Sequence, residues 1–172
     1  MARSRTGSIL SPQDYRSRTR YRAPARWYGR LNRFGAWLVG VGLAPKGVMT
    51  LEVRRRVSGK LQRTPVLVTS WNGSDYIVSL AGESQWVRNV RAAGGAAALR
   101  RGRRHDAFLT EIPVSERPPI IVEYLRQGRE RGGPTAGENQ ARFYFGLPPD
   151  PSESDIAAVA DHYPVLRVEY RD

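Results

Sequence analysis

Cysteine is absent from all 172 residues, and histidine and methionine occur only twice each. No disulfide framework, thiolate metal site or cysteine nucleophile is therefore open to this chain, and a reducing, cytoplasmic setting suits it. His105 and His162 stand far apart in no metal-ligand spacing, one after a hairpin turn and the other at a helix end, where both read as surface residues. The acids are scattered, and no Ser, His and acid grouping stands out, which argues against a protein nucleophile or an acid–base dyad. Catalytic residues and metal ligands are thus not assigned. Long apolar runs are missing too. The longest, "FGAWLVGVGLA" from Phe34, has 11 residues, against the roughly 20 that a spanning helix needs. It also lies too deep in the chain, with no cleavage pattern after it, for an ordinary signal peptide.

What the chain has in excess is positive charge: 28 Lys and Arg against 16 Asp and Glu, a formal net of +12. Nine of those arginines and a single aspartate fall in residues 1–33, so the remainder is only mildly basic. Such a balance points to anionic partners: nucleic acid, an acidic membrane surface or a phosphorylated small molecule. The length fits one domain. We divide it into an Arg-rich flexible arm, 1–25, and one folded unit, 26–172.

From Trp27 the apolar residues Trp27, Leu31, Phe34, Leu38 and Val41 recur at helical steps, flanked by Arg26, Arg30 and Arg33. That helix either packs on the core or lies on anionic lipid as a peripheral contact. Then the period falls to two. Strands are expected at about 48–56, 63–71 and 75–81, with Asn72-Gly73 as a tight hairpin turn. "GESQWVRNVRAAGG" reads as a helix with Ser84 as its N-cap and Gly94-Gly95 as its stop. A hairpin of Ala96–Arg101 and His105–Ile112 turns on "RGRR". A helix over 115–127, the loop "GGPTAGEN", a short capped helix in "SESDIAAVADH" and a final strand in "PVLRVEY" complete the pattern. About six mostly antiparallel strands in meander order, with flanking helices, predict a β-rich α+β fold closing as a small barrel or half-barrel.

Two segments invite an anion. In "LEVRRRVSGKLQRTPVLV" a hairpin tip carries Arg54, Arg55, Arg56, Lys60 and Arg63 with one acid nearby, Glu52. Cations around a glycine turn with free backbone N–H groups make an anion concavity, although a solvated tip that discourages edge pairing has the same appearance. In "SLAGESQWVRNVR" a strand runs through glycine into a helix N-terminus, where unpaired N–H groups favour phosphate or carboxylate. Arg88 and Arg91 share one face of that helix.

"RVSGKLQRTPVLV" followed by "GESQWVRNVRAAG", then "LRRGRR", "ERPPIIVEYLR", "ARFYFGL" and "HYPVLRVEY", resembles the deazaflavin-dependent nitroreductase and quinone reductase family of actinobacteria. The resemblance covers roughly residues 28–170. It implies a split β-barrel like the flavin-binding pyridoxamine-oxidase fold, and coenzyme F420, whose phosphate and oligoglutamate tail is strongly anionic, as cofactor. By motif position, Arg56, Val57, Ser58, Gly59 and Lys60 would form the phosphate loop, followed by Arg63, Thr64 and Pro65. Ser79, Gly82, Glu83, Trp86, Arg88 and Asn89 would line the ring and a second anion contact. The chain departs from the family pattern at Val57, where many relatives are basic, and at Leu61-Gln62, where they carry proline and arginine. The resemblance further implies hydride transfer to a quinone, nitroaromatic or similar planar small-molecule acceptor, with the cofactor carrying the chemistry. It also suggests a pairing of two copies. Trp71, Tyr76, Tyr124, Tyr144 and Tyr163 are the aromatic candidates for the acceptor pocket. Two rival readings remain: a nucleic-acid-binding small barrel, which lacks any recognition helix or aromatic platform in the sequence, and an FMN or haem binder of the same fold.

Overall fold

The computed structural model describes residues 47–132 and 141–171. The Arg-rich arm, the helix expected from Trp27 and most of the "GGPTAGEN" loop lie outside the described residues, as does any membrane contact read from them.

Six antiparallel strands form a closed barrel: β1 (Val48–Arg54), β2 (Leu61–Trp71), β3 (Ser74–Val78), β4 (Ala96–Arg101), β5 (Arg103–Glu111) and β6 (Val165–Arg171). Side chains alternate across each strand. Leu51 and Val53, Val66 and Val68, Leu99, Leu109 and Val168 therefore point inward and form a buried interior. The hairpin between β2 and β3 turns on Asn72 and Gly73, both at positive φ (46° and 75°), which suits Asn-Gly and few other pairs.

The strands do not follow a simple meander. Their order around the barrel is β1-β2-β3-β6-β5-β4, so the last strand lies between β3 and β5, and β4 returns to pair with β1. The reason is the connection after β3. It carries helix α1 (Gln85–Ala92), whose Trp86, Val87 and Val90 pack into the barrel interior, and Gly95 then turns the chain into β4. A gap is left beside β3 that only β6 fills.

Helix α2 (Arg117–Gly132) follows a single 3-10 turn at Val114–Glu116 and runs beyond the expected 127. Its Ile120, Ile121, Tyr124 and Leu125 form a second core with Val78, Phe145 and Tyr163, against which Leu67, Trp71 and Tyr76 from the outer face of β2 and β3 pack. A wide helical turn at Ala141–Phe145 and the short helix α3 (Glu153–Ala157) lead to β6. Ser152 caps α3 with a reciprocal capping box to Asp155. Among the described residues no helix is long and apolar enough to cross a membrane.

Candidate functional site

Strand β1 ends at Arg54, two residues short of the expected 56, because the tip closes on itself there. The Gly59 N–H donates to the Arg55 carbonyl at 2.8 Å and the Arg55 N–H to the Lys60 carbonyl at 2.9 Å. The Arg54 guanidinium adds a bond to the Gly59 carbonyl at 3.2 Å. Gly59 sits at φ 66° with open space where a Cβ would stand. Val57 at the apex is 90 % exposed.

The tip is held against α1. The Asn89 side-chain oxygen accepts from the Arg56 backbone N–H at 3.2 Å and from its guanidinium at 3.1 Å, and the same guanidinium nitrogen donates to the Gln85 side chain at 2.9 Å. The Asn89 amide donates in turn to Gln62 at 2.7 Å, and Gln62 to the Thr64 hydroxyl at 3.3 Å. Asn89 is only 3 % exposed, so this polar chain is fully committed, as burial demands. The two anion-friendly segments thus meet in space. Around the junction, the side chains of Arg55, Lys60 and Arg88 form no hydrogen bond or ion pair among the described residues. The first turn of α1 holds no acid, and its N-cap Ser84 makes no side-chain cap bond, which leaves the helix N–H groups available.

Other candidate residues are engaged in the protein itself. The Ser79 hydroxyl donates to the Gly82 carbonyl at 2.7 Å and lies 3.1 Å from the Ser84 hydroxyl, shaping the loop into α1. Gly82 adopts φ 63°, and a Cβ there would come within 3.0 Å of the His162 carbonyl. Glu83 is bound by the Arg91 fork at 2.7 and 2.8 Å, and this hydrogen-bonded guanidinium holds its carboxyl below the ordinary glutamate range. Arg91 also grips Glu111 at 2.7 Å, and Glu111 meets the buried Arg117 at 3.0 Å. Arg117 donates to the carbonyls of Ile112, Ala160 and Tyr163, so the ladder ties the loop before α1 to the chain entering β6. Trp86 is core. Pro65 pairs with Thr50 within the β1–β2 ladder, and Arg63 bonds to Glu52 at 2.9 Å on the outer barrel face.

Of the aromatic candidates, Tyr124 and Tyr163 are buried in the second core, and the Tyr163 hydroxyl bonds to the Tyr144 carbonyl. Trp71 closes the far end of β2, which places it about 33 Å along the strand from the tip. Gln85, Gln62 and Arg91 were not singled out for these contacts. Their partners lie 8 to 29 residues away along the chain: packing of the tip on α1 brings Gln85 and Gln62 to theirs, and the end of β5 and the loop before α1 bring Glu111 and Glu83 to Arg91.

No family model and no curated protein matches the chain. Several solved structures share its path. One is described as a domain-swapped dimer, with 16 % identity over 83 % of this chain and 96 % of that one, at a TM-score of 0.49. Another is a reductase dependent on reduced coenzyme F420, with 18 % identity over 76 % of this chain and 100 % of that one, at 0.46. A third, from Bacteroides thetaiotaomicron, carries a provisional description as a 5-nitroimidazole antibiotic resistance protein, with 10 % identity over 87 % of this chain and 82 % of that one, at 0.46. These are likenesses of chain path.

Proposed function

We propose that the chain is an oxidoreductase that binds coenzyme F420 across the tip and α1 and delivers hydride to a planar acceptor such as a quinone or nitroaromatic. The observation that carries this reading is the Arg56–Asn89 junction, which sets a glycine turn beside an uncapped helix N-terminus with uncommitted cations around both.

The residues fit such a polyanion. The two acids nearest in sequence to the segments, Glu52 and Glu83, are each neutralised by arginine, so they do not oppose an anion. When bound, the coenzyme would supply the hydride, which suits a sequence in which no nucleophile or acid–base grouping stands out. Lys60, Arg88 and the backbone N–H groups of Ser58 and of the start of α1 would hold phosphate and carboxylate groups, whereas the Gly59 N–H is spent on the Arg55 carbonyl in closing the turn. Arg56 acts differently: it is spent on Asn89 and Gln85, and its role is to fix the tip in place. Val57, exposed and apolar, would lie along the ligand without adding charge. Packed Trp86 keeps water from beneath the site.

The test is a fluorescence titration of the purified protein with coenzyme F420, followed by oxidation of the reduced coenzyme with menadione. Saturable binding and turnover are expected. Neither would be seen if the reading is wrong, and a flavin or haem absorbance in the isolated protein would transfer the fold to another cofactor.

A further inference from the structure

Glu52 is the centre of a second charged constellation, on the outside of the barrel. Leu51 and Val53 point inward, so Glu52 points outward, yet it is only 4 % exposed. Its cover is two arginines from different strands. Arg63, its direct neighbour across the β1–β2 ladder, donates Nε to Oε1 at 2.9 Å. Arg104 on β5 brings Nε to 3.4 Å from Oε2. To get there Arg104 crosses β4, where Ala98 stands between Glu52 and Asp106 in the register. A larger side chain at 98 would block that path.

We infer that Glu52, Arg63 and Arg104 form an oxyanion clamp that takes a phosphate or carboxylate group of a small polyanion. One arginine neutralises one carboxylate. A second, drawn from two strands away, would gain little as a surface pair and loses side-chain freedom. Its placement has a chemical use. Each guanidinium spends its inner Nε on the buried carboxylate and keeps outer nitrogens in solvent: Arg63 is 59 % and Arg104 54 % exposed. Among the described residues the terminal nitrogens of Arg63 take no partner, and Arg104 spends one on Asp106 at 2.6 Å. Two forks drawn together over Glu52, the second also braced by Asp106, present their remaining terminal nitrogens in the planar geometry that phosphate and carboxylate accept. Arg100, paired with Arg104 in the β4–β5 register and in no ion pair among the described residues, adds charge beside them.

The occupant is either the acidic tail of the proposed coenzyme or a separate polyanion, and calorimetry of the full chain distinguishes them. Tripolyphosphate is the first probe. Arg104→Lys keeps the charge and removes the fork, so binding is expected to weaken about tenfold. Glu52→Gln raises the net charge but releases both guanidiniums. A clamp predicts weaker binding for it, whereas simple attraction to a basic surface predicts tighter binding. Unchanged affinity in Arg104→Lys, or no saturable site at all, overturns the proposal; because residue 104 is exposed, that variant decides the matter even if Glu52→Gln fails to fold. The second probe is the coenzyme with and without its phosphate and glutamates. Loss of affinity in Arg104→Lys for the tailed coenzyme as well as for tripolyphosphate, but not for the coenzyme without its phosphate and glutamates, assigns the clamp to the tail; loss for tripolyphosphate with both coenzyme forms unchanged assigns it to a separate ligand. Only that assignment rests on the coenzyme reading: if neither coenzyme form binds while the tripolyphosphate results hold, that reading fails and the clamp stands.

Discussion

One oxygen of Asn89 accepts both the backbone N–H and the guanidinium of Arg56, 33 residues earlier in the chain. The backbone contact fixes where the tip begins, and the side-chain contact fixes which way it leans. An amide on the buried side of a short helix thereby sets the position of a loop that the barrel alone leaves unsupported.

Asn89→Ala would strand two donors of Arg56 and the acceptor of Gln62. A loss of about 1–3 kcal/mol in stability is expected, read from urea denaturation. Coenzyme affinity should fall further than in a variant of equal stability altered elsewhere, for example in the second core.

Gly59 and Gly82 have nearly the same φ but different surroundings. Alanine at 59 meets nothing and should cost about 1 kcal/mol for the backbone alone. At 82 it also presses on the His162 carbonyl, so the loss should be clearly larger and should loosen the loop leading into α1. Thermal melts of the two variants compare them directly.

The carboxyl of Glu83 is depressed chiefly by its hydrogen bond to Arg91, against a smaller opposing effect of burial. The unfolded chain therefore takes up this proton more readily than the folded one. The pair's stabilisation is present above the ordinary glutamate range and drains away as pH falls through the depressed value. Since Glu83 is partly exposed, the effect is a fraction of a kcal/mol. Glu83→Gln should flatten the acid limb of stability against pH, and an unchanged limb would deny the pair any role in it.

Tyr170 shows the opposite direction. Burial first, and then the charge and hydrogen bond of Asp75, push its phenol up to about 12. Stability from its neutral form persists below the ordinary tyrosine value and is lost as pH rises through the raised one. Comparison of the ultraviolet titrations of the parent and Asp75→Asn should show one late-ionising tyrosine moving part of the way back in the variant.

Much of this molecule could be read locally. Asn72-Gly73, the glycine at the tip and the Ser84–Gly95 helix declare themselves within a few residues, because turn chemistry and period are short-range properties. What escaped reading depends on the position of β6. Arg91, Glu111 and Arg117 become a ladder only once β5 and the approach to β6 lie together. The burial of Glu52 escaped as well, since an acid between Leu51 and Val53 reads as solvated until an arginine from β5 is found lying over it. The end of β1 was misplaced by two residues because a run of three arginines gives no signal of where pairing stops.

β6 supplies a hydrogen-bonding neighbour to both β3 and β5. During synthesis, two unpaired edges therefore persist until Val165–Arg171 has cleared the ribosome, and the nascent chain must wait with them open. Slow translation of this segment, or a truncation that removes it, would release a species ready to pair with its neighbours, which makes Val165–Arg171 decisive for the yield of native protein.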